Sequence, residues 1–177
     1  LMTFTNTHAT VFISHQWLGY GVPDPDGVHY AAIVSSVRSL SIAHELPEDD
    51  IHIWLDYSSI PRANSFMQAM AIDSLGVYAS ACRYFIVVAP PATHVERQAI
   101  CDHTTYAERG WCRLEQWARM QSGGLSGMYV TRQESGEIAE MTEMSSQWVE
   151  QAIRVFDGEF TIDSDKMKIV NIVLGLW

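Results

Sequence analysis

Glu115 is the side chain whose surroundings point most directly to chemistry. It belongs to Tyr106-Ala107-Glu108-Arg109-Gly110-Trp111-Cys112-Arg113-Leu114-Glu115-Gln116-Trp117, which reads as a helix beginning near Arg109 or Gly110. Side chains three and four residues apart share a helix face, so Trp111 and Cys112 lie one turn from Glu115. Trp111, Leu114, Ala118 and Gln121 form a core-facing stripe with Glu115 on its margin. An ionised carboxylate beside an indole and a thiol is costly unless it is paired with an arginine or a backbone amide, or acts on a ligand. In the second case it can stabilise or trap a developing positive charge, or carry a proton. Asp56, at the end of an apolar run, is a second carboxylate, and Ser14-His15-Gln16-Trp17 follow another such run.

Elements far apart in sequence must bring these residues together. Thr10-Val11-Phe12-Ile13-Ser14 is short, apolar and β-branched, the pattern of a fully buried strand. The turn-rich stretch 15–27 leads to a helix over about 29–45, broken by Pro47-Glu48-Asp49-Asp50. Residues 51–56 read as a second strand, 57–64 as a loop and about 65–80 as a helix. Tyr84-Phe85-Ile86-Val87-Val88-Ala89 is a third strand, stopped by Pro90-Pro91. Residues 92–108 have little apolar periodicity and are long for a strand-to-helix connection, a length typical of functional loops. After the Glu115 helix, which ends at Gly123-Gly124, residues 127–131 fit a fourth strand. Helices are expected over 145–156, with Ser145 or Ser146 as cap, and over 163–176, with Asp163 or Ser164 as cap. A fifth, edge strand fits either 136–141 or 159–162.

Alternating strands and helices predict an α/β fold with a mainly parallel sheet of four to five strands flanked by helices. Ligands of such sheets bind outside the carboxyl ends of the strands. Residues 14–17, 56–58, the 92–108 loop and the start of the Glu115 helix all converge there.

A chain of 177 residues, 47% hydrophobic and 18% charged, suits one folded domain. No apolar run approaches the ~20 residues of a membrane span. The opening Leu1-Met2-Thr3-Phe4-Thr5 lacks the features of a secretion signal, and a first residue other than Met fits a domain excised from a longer protein. Three cysteines, Cys82, Cys101 and Cys112, do not make a disulfide framework, so a reducing, cytoplasmic location is expected. A net charge of −10 argues against nucleic acid and anionic membranes as partners. It leaves room for a small anion, which needs only a local positive spot. Much of the acid lies at 134–165, as a solvated face.

Several motifs fail on inspection. Gly19-Tyr20-Gly21 has Asp24 where the dinucleotide fingerprint needs its third glycine, and no phosphate loop is present. Cys101-Asp102-His103 falls short of a zinc set, and Asp24-Pro25-Asp26-Gly27 lacks the closing acid of a calcium loop, so no metal is expected. Ser14 and His15, adjacent on a strand, point opposite ways, and no nucleophile elbow occurs. Cys112 could pair with His15 or His103, but Glu115 one turn away would raise its pKa.

Glu115 and Asp56 are left. Glycoside cleavage usually needs an acid for the leaving group and a carboxylate for the oxocarbenium-like centre. A leaving group that starts as a cation, such as the nicotinamide of NAD+, departs neutral and needs no acid, so one carboxylate suffices. Trp17, Tyr57 and Trp111 offer rings that can stack on nicotinamide or adenine.

Val11-Phe12-Ile13-Ser14, then Trp54-Leu55-Asp56, then Tyr106 followed by Trp111-Cys112 and Glu115, resemble Toll/interleukin-1 receptor (TIR) domains in order and spacing. The likeness is clearest to plant-type and bacterial-type members and covers about residues 10–131. It implies one flavodoxin-like domain over 1–177 with five parallel strands, completed by a C-terminal helical part at 132–177. It also implies an NAD+ nucleosidase in signalling, defence or cell death, giving nicotinamide and ADP-ribose or a cyclic form, with NAD+ as substrate and no cofactor. The family's catalytic glutamate maps onto Glu115. Ser14, His15, Gln16, Trp17, Asp56, Tyr57, Ser58, Trp111 and Cys112 become the expected substrate-binding residues, and 57–64 the loop for homo-oligomer formation. The chain departs from the family at His15-Gln16-Trp17, at Ser59-Ile60-Pro61 and at Glu108-Arg109-Gly110. Two rival readings are a non-catalytic TIR-like assembly module and an N-glycoside transferase acting on nucleosides.

Overall fold

Seven consecutive buried residues make Ala9–His15 the strand on which the fold is built. A computed structural model of the chain describes residues 2–132, 136–141 and 146–175. In chain order the elements are α1 (Met2–Thr7), β1 (Ala9–His15), α2 (Val28–Ala43), β2 (Ile51–Trp54), α3 (Asp56–Ser59), α4 (Ser65–Asp73), α5 (Leu75–Ala81) and β3 (Tyr84–Val88). They continue with β4 (Ala92–His94), β5 (Ala99–Cys101), α6 (His103–Glu108), α7 (Gly110–Gly123), β6 (Met128–Thr131), β7 (Ile138–Glu140), α8 (Ser146–Ile153) and α9 (Asp165–Gly175).

The main sheet runs β2-β1-β3-β6-β7. Its first four strands are parallel, and β7 lies antiparallel to β6. Helices cover both faces, giving a flavodoxin-like three-layer arrangement whose order reverses between β1 and β3. The alternation of side chains along each strand divides the core. Val11, Ile13, Ile86 and Val88 pack with Ile33 and Leu40 of α2. Phe12, Phe85 and Val87 pack on the other face with Ala79, Leu114, Trp117 and Ile169 of α5, α7 and α9. Stacked rings help hold the register on that face. Phe12 lies 4.4 Å from Trp54 and 5.3 Å from Phe85, between ring centres, and pairs with both across the strands. Among the described residues no helix is long and apolar enough to cross a membrane.

Several sequence expectations need correction. The sheet has a fifth strand at Ile138–Glu140, but it is antiparallel, not parallel as the resemblance implied. Only residues 132–137 separate it from β6, too few for a parallel crossover but enough for a hairpin. The second strand ends at Trp54, and Asp56 instead opens the one-turn helix α3 within the expected loop. The helix expected over 65–80 breaks at Ser74 into α4 and α5. The 92–108 segment is ordered, as the β4–β5 hairpin followed by α6. Residues 159–162 form no strand, only a single parallel bridge between Arg109 and Glu159. Ser145, one of the two proposed caps of α8, lies outside the described residues.

The largest revision concerns α7. Cys112, Arg113, Leu114, Glu115, Gln116, Trp117, Ala118 and Arg119 are all buried, whereas Gln121 of the expected stripe is exposed. Helix α7 is therefore central, packed among α5, α6, α8 and α9. Its buried polar residues are tied to other segments. Arg113 donates to the carbonyls of Ala107 and Arg154, and Arg119 donates to the carbonyl of Ser126. Gln116 accepts from the Trp148 indole at 2.8 Å.

Candidate active site

Glu115 differs from its neighbours on α7. Among the described residues its carboxyl has one hydrogen-bond partner, the Ser14 hydroxyl, which donates to Oε2 at 2.5 Å. No arginine or backbone amide among those residues pairs with it. Ser14 is fully buried on β1, and its oxygen lies 2.6 Å from the Tyr106 hydroxyl of α6. Ser14 has a single proton. When it donates to Glu115, Tyr106 must donate to Ser14, giving a chain Tyr106–Ser14–Glu115. Burial pushes the Glu115 pKa up to about 8, against the Ser14 hydrogen bond, and the Asp56 charge adds to the rise. At pH 7 the group is therefore mostly protonated. Burial, and then Glu115 itself, push the Cys112 thiol well above its usual range, so it is no thiolate nucleophile.

Asp56 is the opposite case. Burial alone would raise its pKa, but hydrogen bonds hold it below the usual carboxylate value. The donors are His15 Nε2 at 3.1 Å, Trp17 Nε1 at 2.7 Å and the Tyr57 amide at 2.6 Å. His15 shares its other nitrogen with His29 Nδ1 at 3.2 Å. Burial, then His15, push the His29 pKa down to about 4, so that ring is neutral. The site thus holds two carboxyl groups in different states, an anionic Asp56 and a largely neutral Glu115.

Both line one cavity of about 660 Å³, within the ~300–1,000 Å³ range of small-molecule sites. It opens at the carboxyl ends of β1 and β3, where a flavodoxin-like order places its crevice. Segment 158–162 and α9 supply a wall through Phe160, Thr161, Ile162, Asp165 and Lys168. This wall fits because position 110 is glycine: a Cβ there would overlap the Phe160 ring. Backbone bonds Gly110 N to Glu159 O at 2.9 Å and Glu159 N to Glu108 O at 2.7 Å fasten the segment to the start of α7. Among the described residues, no group of three or more His, Cys, Asp or Glu could hold a metal ion.

Of the residues singled out from sequence, His15, Gln16, Trp17, Asp56, Trp111, Cys112 and Glu115 line the cavity. Gln16 is held by the Asp102 carbonyl and the Thr105 hydroxyl, and Trp111 donates to Asp165 at 3.1 Å. Ser14 does not line it; it sits behind Glu115 and positions it. Tyr57 and Ser58 lie outside. Tyr57 is exposed with Arg62 4.2 Å over its ring, and Ser58 donates to the Leu55 carbonyl. Sequence reasoning missed Arg62, His94, Arg97, Arg109 and Lys168 of the lining. For Arg97 a signal existed, the unusual length of the 92–108 connection. For Lys168 none did, because only the packing of α9 brings it there. Compared with known proteins, the chain matches no family model, no curated protein and no solved structure.

Proposed function

We propose that this chain is a TIR-like NAD+ nucleosidase, one domain over 1–177, with Glu115 as its catalytic carboxylate. The observation that carries this reading is a buried carboxyl lining a ligand-sized cavity and, among the described residues, hydrogen-bonded only to a serine hydroxyl. A structural glutamate would be expected to have a cationic or amide partner.

In the proposed reaction the C1′–N bond between ribose and nicotinamide breaks, and its electron pair leaves with the nicotinamide, which becomes neutral. The ribosyl centre gains positive charge and is stabilised by Glu115. Water then adds at C1′, giving ADP-ribose and releasing one proton. Attack by the adenine ring instead of water would give the cyclic form. A cationic nicotinamide beside Glu115 favours the carboxylate, so substrate binding itself lowers the raised pKa and charges the group that the reaction needs. The anionic Asp56, held by His15 and Trp17, can accept hydrogen bonds from ribose hydroxyls. A cytoplasmic location and a homo-oligomer formed through 57–64 belong to the same proposal, with the Arg62 guanidinium over Trp17 and Tyr57 linking that loop to the cavity.

The test is to incubate the protein with NAD+, and separately with free nucleosides, and to follow the released base by chromatography. Nicotinamide release that disappears in Glu115→Ala is expected. Equal inactivity of both proteins under conditions that promote assembly would overturn the reading, and release from nucleosides alone would favour the transferase. The rival assembly-module reading draws support from Phe66, Met67 and Met70, all exposed on α4. It expects self-association to be unaffected by Glu115→Ala and no binding of NAD+.

A further inference from the structure

The chain carries eleven Lys and Arg against twenty-one Asp and Glu, yet Arg62, Arg97, Arg109 and Lys168 all line this cavity. In an acidic protein, more than a third of the cations on one concave surface calls for an explanation. Ion pairing does not supply it. Lys168 is paired with Asp165 at 2.7 Å, but among the described residues Arg62, Arg97 and Arg109 have no carboxylate partner. Arg62 lies over the Trp17 and Tyr57 rings, and Arg109 donates to the Thr161 hydroxyl. The lining acids are largely occupied or neutral: Asp56 by His15 and Trp17, Asp165 by Lys168, Glu115 by its own proton. Glu159 is left, exposed on the wall segment.

Arg97 and Arg109 come from different elements but converge, since both line the cavity and both also line a small second recess with Gln16, Cys101 and Glu159. Arg97 is carried by the four-residue tip of the β4–β5 hairpin, which turns through Gln98 at a φ of +50°. The hairpin is fastened over the cavity: Val95 N donates to the Leu18 carbonyl at 2.8 Å, and the Tyr20 amide donates to Glu96 at 3.2 Å. The Arg97 side chain is exposed on this fixed tip, and the Arg109 guanidinium is held by Thr161; a guanidinium presents a fork of donors that matches phosphate oxygens two at a time.

We propose that the β4–β5 hairpin is the phosphate-recognition element of this cavity, with Arg97 and Arg109 together binding the diphosphate of a diphosphate ester. The inference rests on the cavity being the substrate site of the proposed function, but not on nicotinamide chemistry. Two guanidiniums match the two charges of a diphosphate, and Glu115 remains at the far chemistry of the same ligand. Arg97 is here a specificity-determining residue, acting on affinity and leaving the bond-breaking group untouched.

The experiment titrates the protein calorimetrically with ADP-ribose and with adenosine, for wild type and for Arg97→Ala and Arg97→Glu. Circular dichroism confirms that the variants keep the wild-type fold, which substitution at a hairpin tip is expected to preserve. Wild type should bind ADP-ribose at least about tenfold more tightly than adenosine, with an advantage that shrinks as salt rises. Arg97→Ala should lose about tenfold of that advantage, Arg97→Glu more, and adenosine affinity should not change. Where nicotinamide is released, Arg97→Ala should raise KM and leave kcat nearly unaltered. ADP-ribose binding that is absent in wild type, no tighter than adenosine, or unchanged in Arg97→Ala would overturn the proposal. The two readings fail separately. Arg97-dependent binding without nicotinamide release sinks only the nucleosidase, and release with an unchanged KM in Arg97→Ala sinks only the phosphate element.

Discussion

Glu115→Gln should make this protein more stable while abolishing its proposed activity. The amide has the same shape as the carboxyl and can still accept the proton of Ser14, so packing is preserved. What it removes is an ionisation penalty. The Glu115 pKa is about 8 in the fold against 4.5 for the ordinary group. Because the folded pKa is raised, the fold binds this proton more tightly than the unfolded chain does. The stabilisation is fully present below 4.5, falls as pH rises and is lost above about 8. Each pH unit in that window costs about 1.4 kcal/mol. At pH 7 the wild type therefore carries a penalty of roughly 3 kcal/mol that the glutamine variant lacks, and at pH 5 the difference is below about 1 kcal/mol. Urea unfolding followed by circular dichroism at pH 5, 7 and 8 reads the gap directly. With an m-value near ~2 kcal/mol per molar, the midpoint should rise by about 1 to 2 M at pH 7. A variant less stable than wild type at pH 7, or a gap that does not grow between pH 5 and 8, would show Glu115 ionised and paired, and the argument for a functional carboxylate would go with it. A residue that destabilises the fold while serving the reaction is the usual trade-off of an active site.

Two further outcomes are expected. For nicotinamide release, kcat/KM should climb about tenfold per pH unit below about 8 and level off above it, because Glu115 must be ionised. The kcat profile should turn at lower pH, since the bound cation favours the carboxylate; a kcat/KM flat from pH 6 to 8 would contradict this. Gly110→Ala should be destabilised by about 1 to 3 kcal/mol, because its methyl would overlap Phe160 and displace the 158–162 wall. An alanine variant as stable as wild type in urea would mean that this wall does not rest on position 110.

The parallel strands were legible because they are buried on both faces, and so read as unbroken apolar runs at Val11-Phe12-Ile13 and Tyr84-Phe85-Ile86-Val87-Val88. The rule that ligands bind at the carboxyl ends of such strands then picked out His15, Trp17, Asp56 and Glu115 correctly as neighbours of one cavity. It overreached at Tyr57 and Ser58, because α3 begins at Asp56 and its turn carries both residues to the surface.

What the sequence determined by itself is the α/β alternation, the place of β1 and β3, and the helix that carries Glu115. These follow from local periodicity and from breakers such as Pro90-Pro91 and Gly123-Gly124, which act over a few residues. Tertiary structure alone decided the rest. Arg113, Gln116 and Arg119 are polar side chains, yet they are buried, with hydrogen bonds to Ala107, Arg154, Trp148 and Ser126 from other segments. Among the described residues Glu115 escapes such pairing and hydrogen-bonds only to Ser14, 101 residues away in the chain. The cations of the cavity gather from the loop before α4, the β4–β5 hairpin, the start of α7 and α9. Contacts between such distant segments depend on how whole elements pack, and no local pattern of side chains records them.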